Sequence, residues 1–105
     1  MQVKDYGGSC AVVTLPKEIM VYSGTEELRE TLADLSEKGY QGIALDCSNL
    51  VMLDASGLNV LLAFQRRLKK AGSEMKIVNI ESPFLKKFFD KIQLHKVISI
   101  KERMC

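Results

Sequence analysis

The sequence predicts an α/β fold, a small mixed β-sheet of about five strands packed with helices. The chain has 105 residues, of which 47% are apolar and 27% charged, enough to bury one hydrophobic core. The spacing of the apolar residues alternates between a period of two and a period of 3.6, as in alternating strands and helices. Glycines and prolines separate these segments. The predicted order of elements is β-β-α-β-α-β-α-β, in a single domain spanning residues 1–105.

The first two elements are predicted to form an antiparallel hairpin. Residues 2–6 and 10–15 are short extended segments, and the Gly7-Gly8-Ser9 sequence between them is typical of a tight turn. Pro16 ends the second strand, because proline lacks the N–H group that a sheet ladder requires.

The first helix is predicted from a capping box, in which Ser23 is followed three residues later by Glu26. Its apolar residues repeat at helical spacing: Leu28, Leu32 and Leu35. Gly39 is expected to end the helix. The other elements follow in alternation: strand 42–47, helix 57–70, strand 75–80, a third helix opened by Ser82 and Pro83, and strand 97–100. Since each of the last three strands follows a helix of crossover length, these strands are expected to be parallel.

Composition narrows the classes of function. The formal net charge of +2 provides little attraction for nucleic acid. No apolar run approaches the roughly 20 residues that a membrane-spanning helix needs, so the sequence predicts a cytoplasmic protein without a membrane span. No metal site is predicted, because His95 is the one histidine and the three cysteines are far apart. No cofactor is predicted either, since the sequence lacks the glycine-rich motifs that bind nucleotide phosphates tightly. Cys10 and Cys47 are predicted to be buried strand thiols.

Residues 52–62, MLDASGLNVLL, place a short polar sequence between apolar residues at the start of a helix. On spacing alone, Ser56 is an N-cap that stabilises the helix by about 1 kcal/mol. A serine nucleophile would need a base, and His95 is expected at the other end of the strands, so no enzyme is predicted. Asp54 is expected either to stabilise the helix dipole or to contact a partner. Gly57 is expected to allow close packing between the helix and the sheet.

Residues 42–72 and 74–100 carry a more specific pattern. A strand ends in Asp46, the motif Asp-x-Ser-Gly-Leu at 54–58 opens the second helix, and a Ser-Pro pair at 82–83 opens the third. In this combination the chain resembles the STAS domain of bacterial anti-sigma factor antagonists. The family often has a glycine and an acidic residue after the second strand, whereas this chain has Pro-Lys-Glu at 16–18.

The resemblance implies that Ser56 is phosphorylated by a partner that is both a serine kinase and an anti-sigma factor, and that a PP2C-type phosphatase removes the phosphate. The unphosphorylated protein would bind this partner and release a sigma factor. The expected partner-binding residues are Met52, Leu53, Asp54, Ala55, Gly57, Leu58, Ser23, Gly24 and Thr25. STAS-like domains also act without phosphorylation, as scaffolds of signalling assemblies or companion subunits of transport systems, so this alternative stays open.

Overall fold

The computed structural model describes residues 1–101 and confirms the predicted fold class. Its elements are β1 (Gln2–Asp5), β2 (Cys10–Thr14), β3 (Glu18–Ile19), α1 (Thr25–Glu37), β4 (Gly42–Asp46), β5 (Met52–Leu53), α2 (Ala55–Lys70), β6 (Glu74–Val78), α3 (Pro83–Lys91), a 3-10 turn (Leu94–Lys96) and β7 (Ser99–Lys101). The third cysteine, Cys105, and the end of the predicted domain lie outside the described residues.

Five strands form the main sheet, in the order β1-β2-β4-β6-β7. As predicted, β1 is antiparallel to β2, and each later neighbour is parallel. Thr14 pairs with Asp46, and Asp46 pairs with Val78, so the carboxyl ends of the central strands lie in register. The loops that follow β2 and β4 therefore leave the same edge of the sheet, where α/β proteins usually bind ligands or partners.

All three helices contribute to one buried cluster with the sheet. The three leucines predicted on the first helix are buried, and Ser82 caps α3 with Pro83 in its first turn. Of the apolar residues in and just after α3, Leu85 and Phe89 are buried, whereas Phe84 is 55% and Ile92 is 40% exposed. The opposite face of the sheet holds a smaller buried cluster: Val12, Ala44 and Val78.

A second, two-stranded sheet lies in two segments that fall between the predicted elements. β3 pairs with β5 in parallel, Glu18 opposite Met52 and Ile19 opposite Leu53. Beyond this ladder, the Asp54 N–H donates to the Ile19 carbonyl over 3.1 Å. A two-residue strand is too short to reveal a period of two in sequence. This small sheet joins the two loops and fixes where α2 begins.

Cys47 follows β4 and is buried, whereas Cys10 is half-buried at the start of β2. Burial, helped by the neighbouring Asp46 charge, raises the pKa of the Cys47 thiol to about 12. Because the thiolate is the reactive form, we expect the Cys47 peptide to remain unalkylated by iodoacetamide in the native protein at about pH 8, and to react fully in urea. Peptide mass spectrometry measures this, and rapid native labelling of Cys47 would contradict it.

Candidate functional site

α2 begins two residues earlier than predicted, and Asp54 is its N-cap. The Asp54 carboxylate accepts the N–H of Gly57 over 3.1 Å, while Ser56 occupies the second helical position. The prediction that Ser56 is the N-cap is therefore wrong. Both residue types cap helices well, and the choice between them is made by β5, which keeps the chain extended through Leu53 and leaves Asp54 at the boundary.

The Asp54 carboxylate accepts three hydrogen bonds. One oxygen accepts from the Ser56 hydroxyl over 2.5 Å as well as from Gly57, and the other accepts the Val21 N–H over 2.8 Å. These bonds favour the ionised form. The pKa of Asp54 lies below its ordinary value of 3.8, chiefly because of the Ser56 hydrogen bond. Asp54 thus stands as a carboxylate directly beside the Ser56 hydroxyl.

The Ser56 hydroxyl also contacts α1, the other helix that begins at this edge of the sheet. Its Oγ lies 2.8 Å from the Oγ1 of Thr25, the first residue of α1. Thr25 is 4% exposed, and its hydroxyl donates a hydrogen bond to the Met20 carbonyl over 2.8 Å. Ser56 itself is half-buried. Its hydroxyl therefore sits between the first turns of two helices, at the edge where the loops of the sheet converge.

The capping box predicted at Ser23 is not formed. Gly24 is the N-cap of α1 and no side chain caps it, because Ser23 is held in a tight turn by reciprocal backbone hydrogen bonds with Met20, of 2.7 and 2.9 Å. Gly24 has a φ of 97°, and a Cβ there would lie 2.9 Å from the Glu18 carbonyl oxygen. Glycine at this position lets the turn close against β3.

The residues predicted to bind a partner are brought together here but differ in accessibility. Ser23, Met52 and Ala55 are exposed, and Gly24, Asp54 and Leu58 are half-buried. Leu53, Gly57 and Thr25 are buried, so in this conformation they shape the surface from beneath. Partner binding by this set stays a prediction.

Sequence reasoning missed two exposed apolar residues in the turn whose backbone hydrogen-bonds to Asp54. Val21 and Tyr22 are each 74% exposed, and the Val21 N–H bonds to Asp54. We call Val21, Tyr22, Val51 and Met52 the apolar rim, since Val51 and Met52 are also more than two-fifths exposed. Exposed apolar patches often mark interaction sites. The available signal was an adjacent Val-Tyr pair in a segment without helical or strand periodicity.

Asp54 should make the stability of the protein depend on pH in the acid range. Because its folded pKa is lowered, its stabilising contribution is present above the unfolded pKa of about 3.9 and is lost as pH falls through the folded value. Asp54→Asn keeps a capping oxygen but has no charge. We expect wild type to exceed Asp54→Asn in urea midpoint by more at about pH 6 than at about pH 2.5. An equal difference at both pH values would contradict this.

Comparison with known proteins adds a family and a set of similar folds. A family model described as STAS domain matches residues 2–104. An anti-sigma factor antagonist from Mycobacterium paratuberculosis superposes with a TM-score of 0.82 at 20% identity, covering 97% of this chain and 84% of that one. A sulfate transporter family protein from Wolinella succinogenes gives 0.72 at 16% identity, covering 94% and 82%.

The anti-sigma factor antagonist SpoIIAA is similar in both of its states. Its unphosphorylated form gives a TM-score of 0.75 at 19% identity, covering 98% of this chain and 88% of that one. The phosphorylated form, from Bacillus, gives 0.73 at 20% identity, covering 97% and 91%. At these identities the similarity is one of fold.

Proposed function

Since this chain belongs to the STAS domain family, we propose that it is an anti-sigma factor antagonist controlled by phosphorylation of Ser56. Unphosphorylated, it binds an anti-sigma factor that is also a serine kinase, and a sigma factor is released. The observation that carries the proposal is the position of the Ser56 hydroxyl, which is half-buried in the first turn of α2 and donates to Asp54, the residue that also accepts the backbone N–H of Val21 in the apolar rim. Ser56 acts as a substrate in this proposal, and the protein itself is not an enzyme.

The electrostatics of the site give the direction of the switch. A phosphate adds about −1.5 to −2 charges, and the α2 N-terminus accommodates negative charge through its dipole. The fold is therefore expected to persist. The Asp54 carboxylate, however, lies 2.5 Å from the Ser56 oxygen, so the phosphate adds to an existing negative charge beside the apolar rim. A partner that buries this rim would have to desolvate both groups, and it dissociates. A PP2C-type phosphatase restores binding.

The proposed site of action is the cytoplasm, with protein partners and no direct contact to nucleic acid. Among residues 1–101, no helix combines the length and apolar character required to cross a bilayer. The similarity to a sulfate transporter family protein supports a second candidate, a companion subunit whose binding does not depend on phosphorylation. The two candidates differ in whether modification of Ser56 changes the affinity for the partner.

The direct test combines the purified protein, a candidate anti-sigma kinase and ATP, and locates phosphate by peptide mass spectrometry. We expect one phosphate, on Ser56, and none on Ser56→Ala. Ser36→Ala is the matched control, because Ser36 is likewise a half-buried serine within a helix but lies outside the predicted partner-binding set, and it should be phosphorylated like wild type. Absence of phosphate from Ser56, or phosphate on another residue in the wild type, would contradict the proposal.

Tyr22 is expected to supply binding energy to the partner. Tyr22 is 74% exposed, and aromatic side chains that become buried in an interface often contribute strongly to affinity. Tyr22→Ala should weaken kinase binding about tenfold, equivalent to about 1.4 kcal/mol, without lowering the melting temperature. Tyr6→Ala is the control, since Tyr6 is 50% exposed but lies next to the hairpin turn. Isothermal titration calorimetry measures both, and equal affinities for the two variants would count against a rim contact.

A further inference from the structure

The face of the main sheet opposite the helices, which we call the rear face, carries a short row of apolar side chains: Val12, Ala44 and Val78. They are at most 3% exposed, although no helix within residues 1–101 contributes to their cluster. We propose that residues 102–105 lie across the rear face and that a disulfide bond between Cys10 and Cys105 holds them there. The inference does not depend on the proposed function.

The state of the cysteines identifies the pair. Cys10 forms a disulfide bond, so the prediction of a thiol at this position is wrong. Cys47 is a free thiol and is buried, which leaves Cys105 as the remaining cysteine of the chain. Cys10 and Val12 are two residues apart on β2, so their side chains point to the same side of the sheet. A partner of Cys10 therefore approaches from the rear face.

The register of the sheet gives the distance that must be spanned. β7 is separated from β2 by β6 and β4, which corresponds to about 14 Å across the sheet. Lys101 lies in the same row as Thr14, and Cys10 lies about 13 Å further back along β2. The direct line from Lys101 to Cys10 is therefore about 19 Å long.

The length of the connecting segment selects its path. Four extended residues advance about 13–14 Å, and the Cα atoms of a disulfide lie up to about 6.8 Å apart. Residues 102–105 therefore reach Cys10 when they are extended and run diagonally over β6 and β4. Val78 and Ala44 lie beneath this line, and the segment carries an apolar side chain, Met104, that can cover them.

Formation of the bond is a redox step. The thiolate of one cysteine attacks a low-molecular-weight disulfide, such as glutathione disulfide, and displaces one thiolate; the other cysteine then attacks the mixed disulfide and displaces the second. Two protein thiols are oxidised, the small disulfide is reduced, and the released thiolates take up the two protons. Disulfides in the cytoplasm are usually transient. In the proposed cytoplasmic location, residues 102–105 thus form a clasp that closes under oxidising conditions and opens on reduction.

Peptide mass spectrometry tests the pairing. After incubation with glutathione disulfide and alkylation of the remaining thiols, trypsin should release residues 5–17 linked to residues 104–105. The protein should run as a monomer on a non-reducing gel, and the linked peptide should be lost after reduction and in Cys105→Ser. Cys10 bonded instead to Cys47, to glutathione or to a second chain would overturn the pairing.

A second measurement tests whether the segment covers the rear face. In methyl NMR spectra of the oxidised protein, we expect nuclear Overhauser effects between the Met104 methyl group and the methyl groups of Ala44 or Val78. These signals should be lost on reduction and in Cys105→Ser, which serves as the matched control because it cannot close the clasp. A linked peptide without these effects would uphold the disulfide and overturn the coverage of the rear face.

Discussion

Ser56→Asp should weaken binding to the anti-sigma kinase by about 10- to 100-fold, equivalent to about 1.4–2.8 kcal/mol. The introduced carboxylate stands beside the Asp54 carboxylate, which lies 2.5 Å from the serine oxygen. A partner that covers the apolar rim would have to bury two adjacent negative charges, and this is costly unless both are paired. Isothermal titration calorimetry or surface plasmon resonance against the purified kinase measures the change.

Two controls isolate the effect of charge at this position. Ser56→Ala removes the hydroxyl without adding charge, and should bind within a few-fold of wild type. Ser9→Asp makes the same chemical change in the exposed turn between β1 and β2, where the φ of 64° is one that Asp tolerates, and its affinity should also be near that of wild type. If Ser56→Asp and wild type bind equally well, the phosphorylation switch is refuted, whereas the companion-subunit candidate remains.

Gly57→Ala should destabilise the protein by a net amount of about 1–2 kcal/mol, measured by urea unfolding. A Cβ at this position would lie 2.5 Å from Leu53 Cδ1 and 2.7 Å from Ile19 Cγ2, and both of these side chains are buried. Overpacking of this kind costs about 1–3 kcal/mol. The greater helix propensity of alanine offsets at most about 1 kcal/mol of this cost, so the net change in the free energy of unfolding is a loss of stability. The start of α2, and with it Ser56, would have to move away from the small sheet.

Gly42→Ala is the matched control for this substitution. A Cβ on Gly42 would find its nearest neighbour, Cys10 Sγ, at an ordinary distance of 3.7 Å. Its stability should therefore stay within about 0.5 kcal/mol of wild type. Similar losses in the two variants would show that Gly57 is not required for close packing, and would weaken the explanation of why glycine follows the serine.

Local sequence patterns predicted an element correctly wherever a single strong signal was present. The three leucines at helical spacing located α1 and its buried face, and the Ser-Pro pair at 82–83 located the start of α3. Two glycines located the hairpin turn between β1 and β2. In each case the residues that determine the conformation are neighbours in sequence, so their conformational preferences can be predicted without knowledge of the fold.

Two of the predictions that failed are ones in which two local preferences competed. Ser23 and Gly24 could each begin α1, and Asp54 and Ser56 could each cap α2. Contacts outside each helix settled both choices. The long-range β3–β5 ladder fixes the backbone immediately before α2, and the local turn from Met20 to Ser23 fixes the residues before α1. The energies of alternative caps differ by less than about 1 kcal/mol, so a few hydrogen bonds are enough to choose between them.

The sequence by itself determined the fold class and directed attention to Ser56 as the centre of the candidate site. Tertiary structure alone decided what surrounds that serine. Thr25 and Ser56 are 31 positions apart, and Val21 and Asp54 are 33 apart, so no local pattern could reveal that their atoms meet. The physical reason is that these contacts depend on two short loops being joined by a two-residue ladder, whose stability comes from packing against the core rather than from the preferences of its own residues.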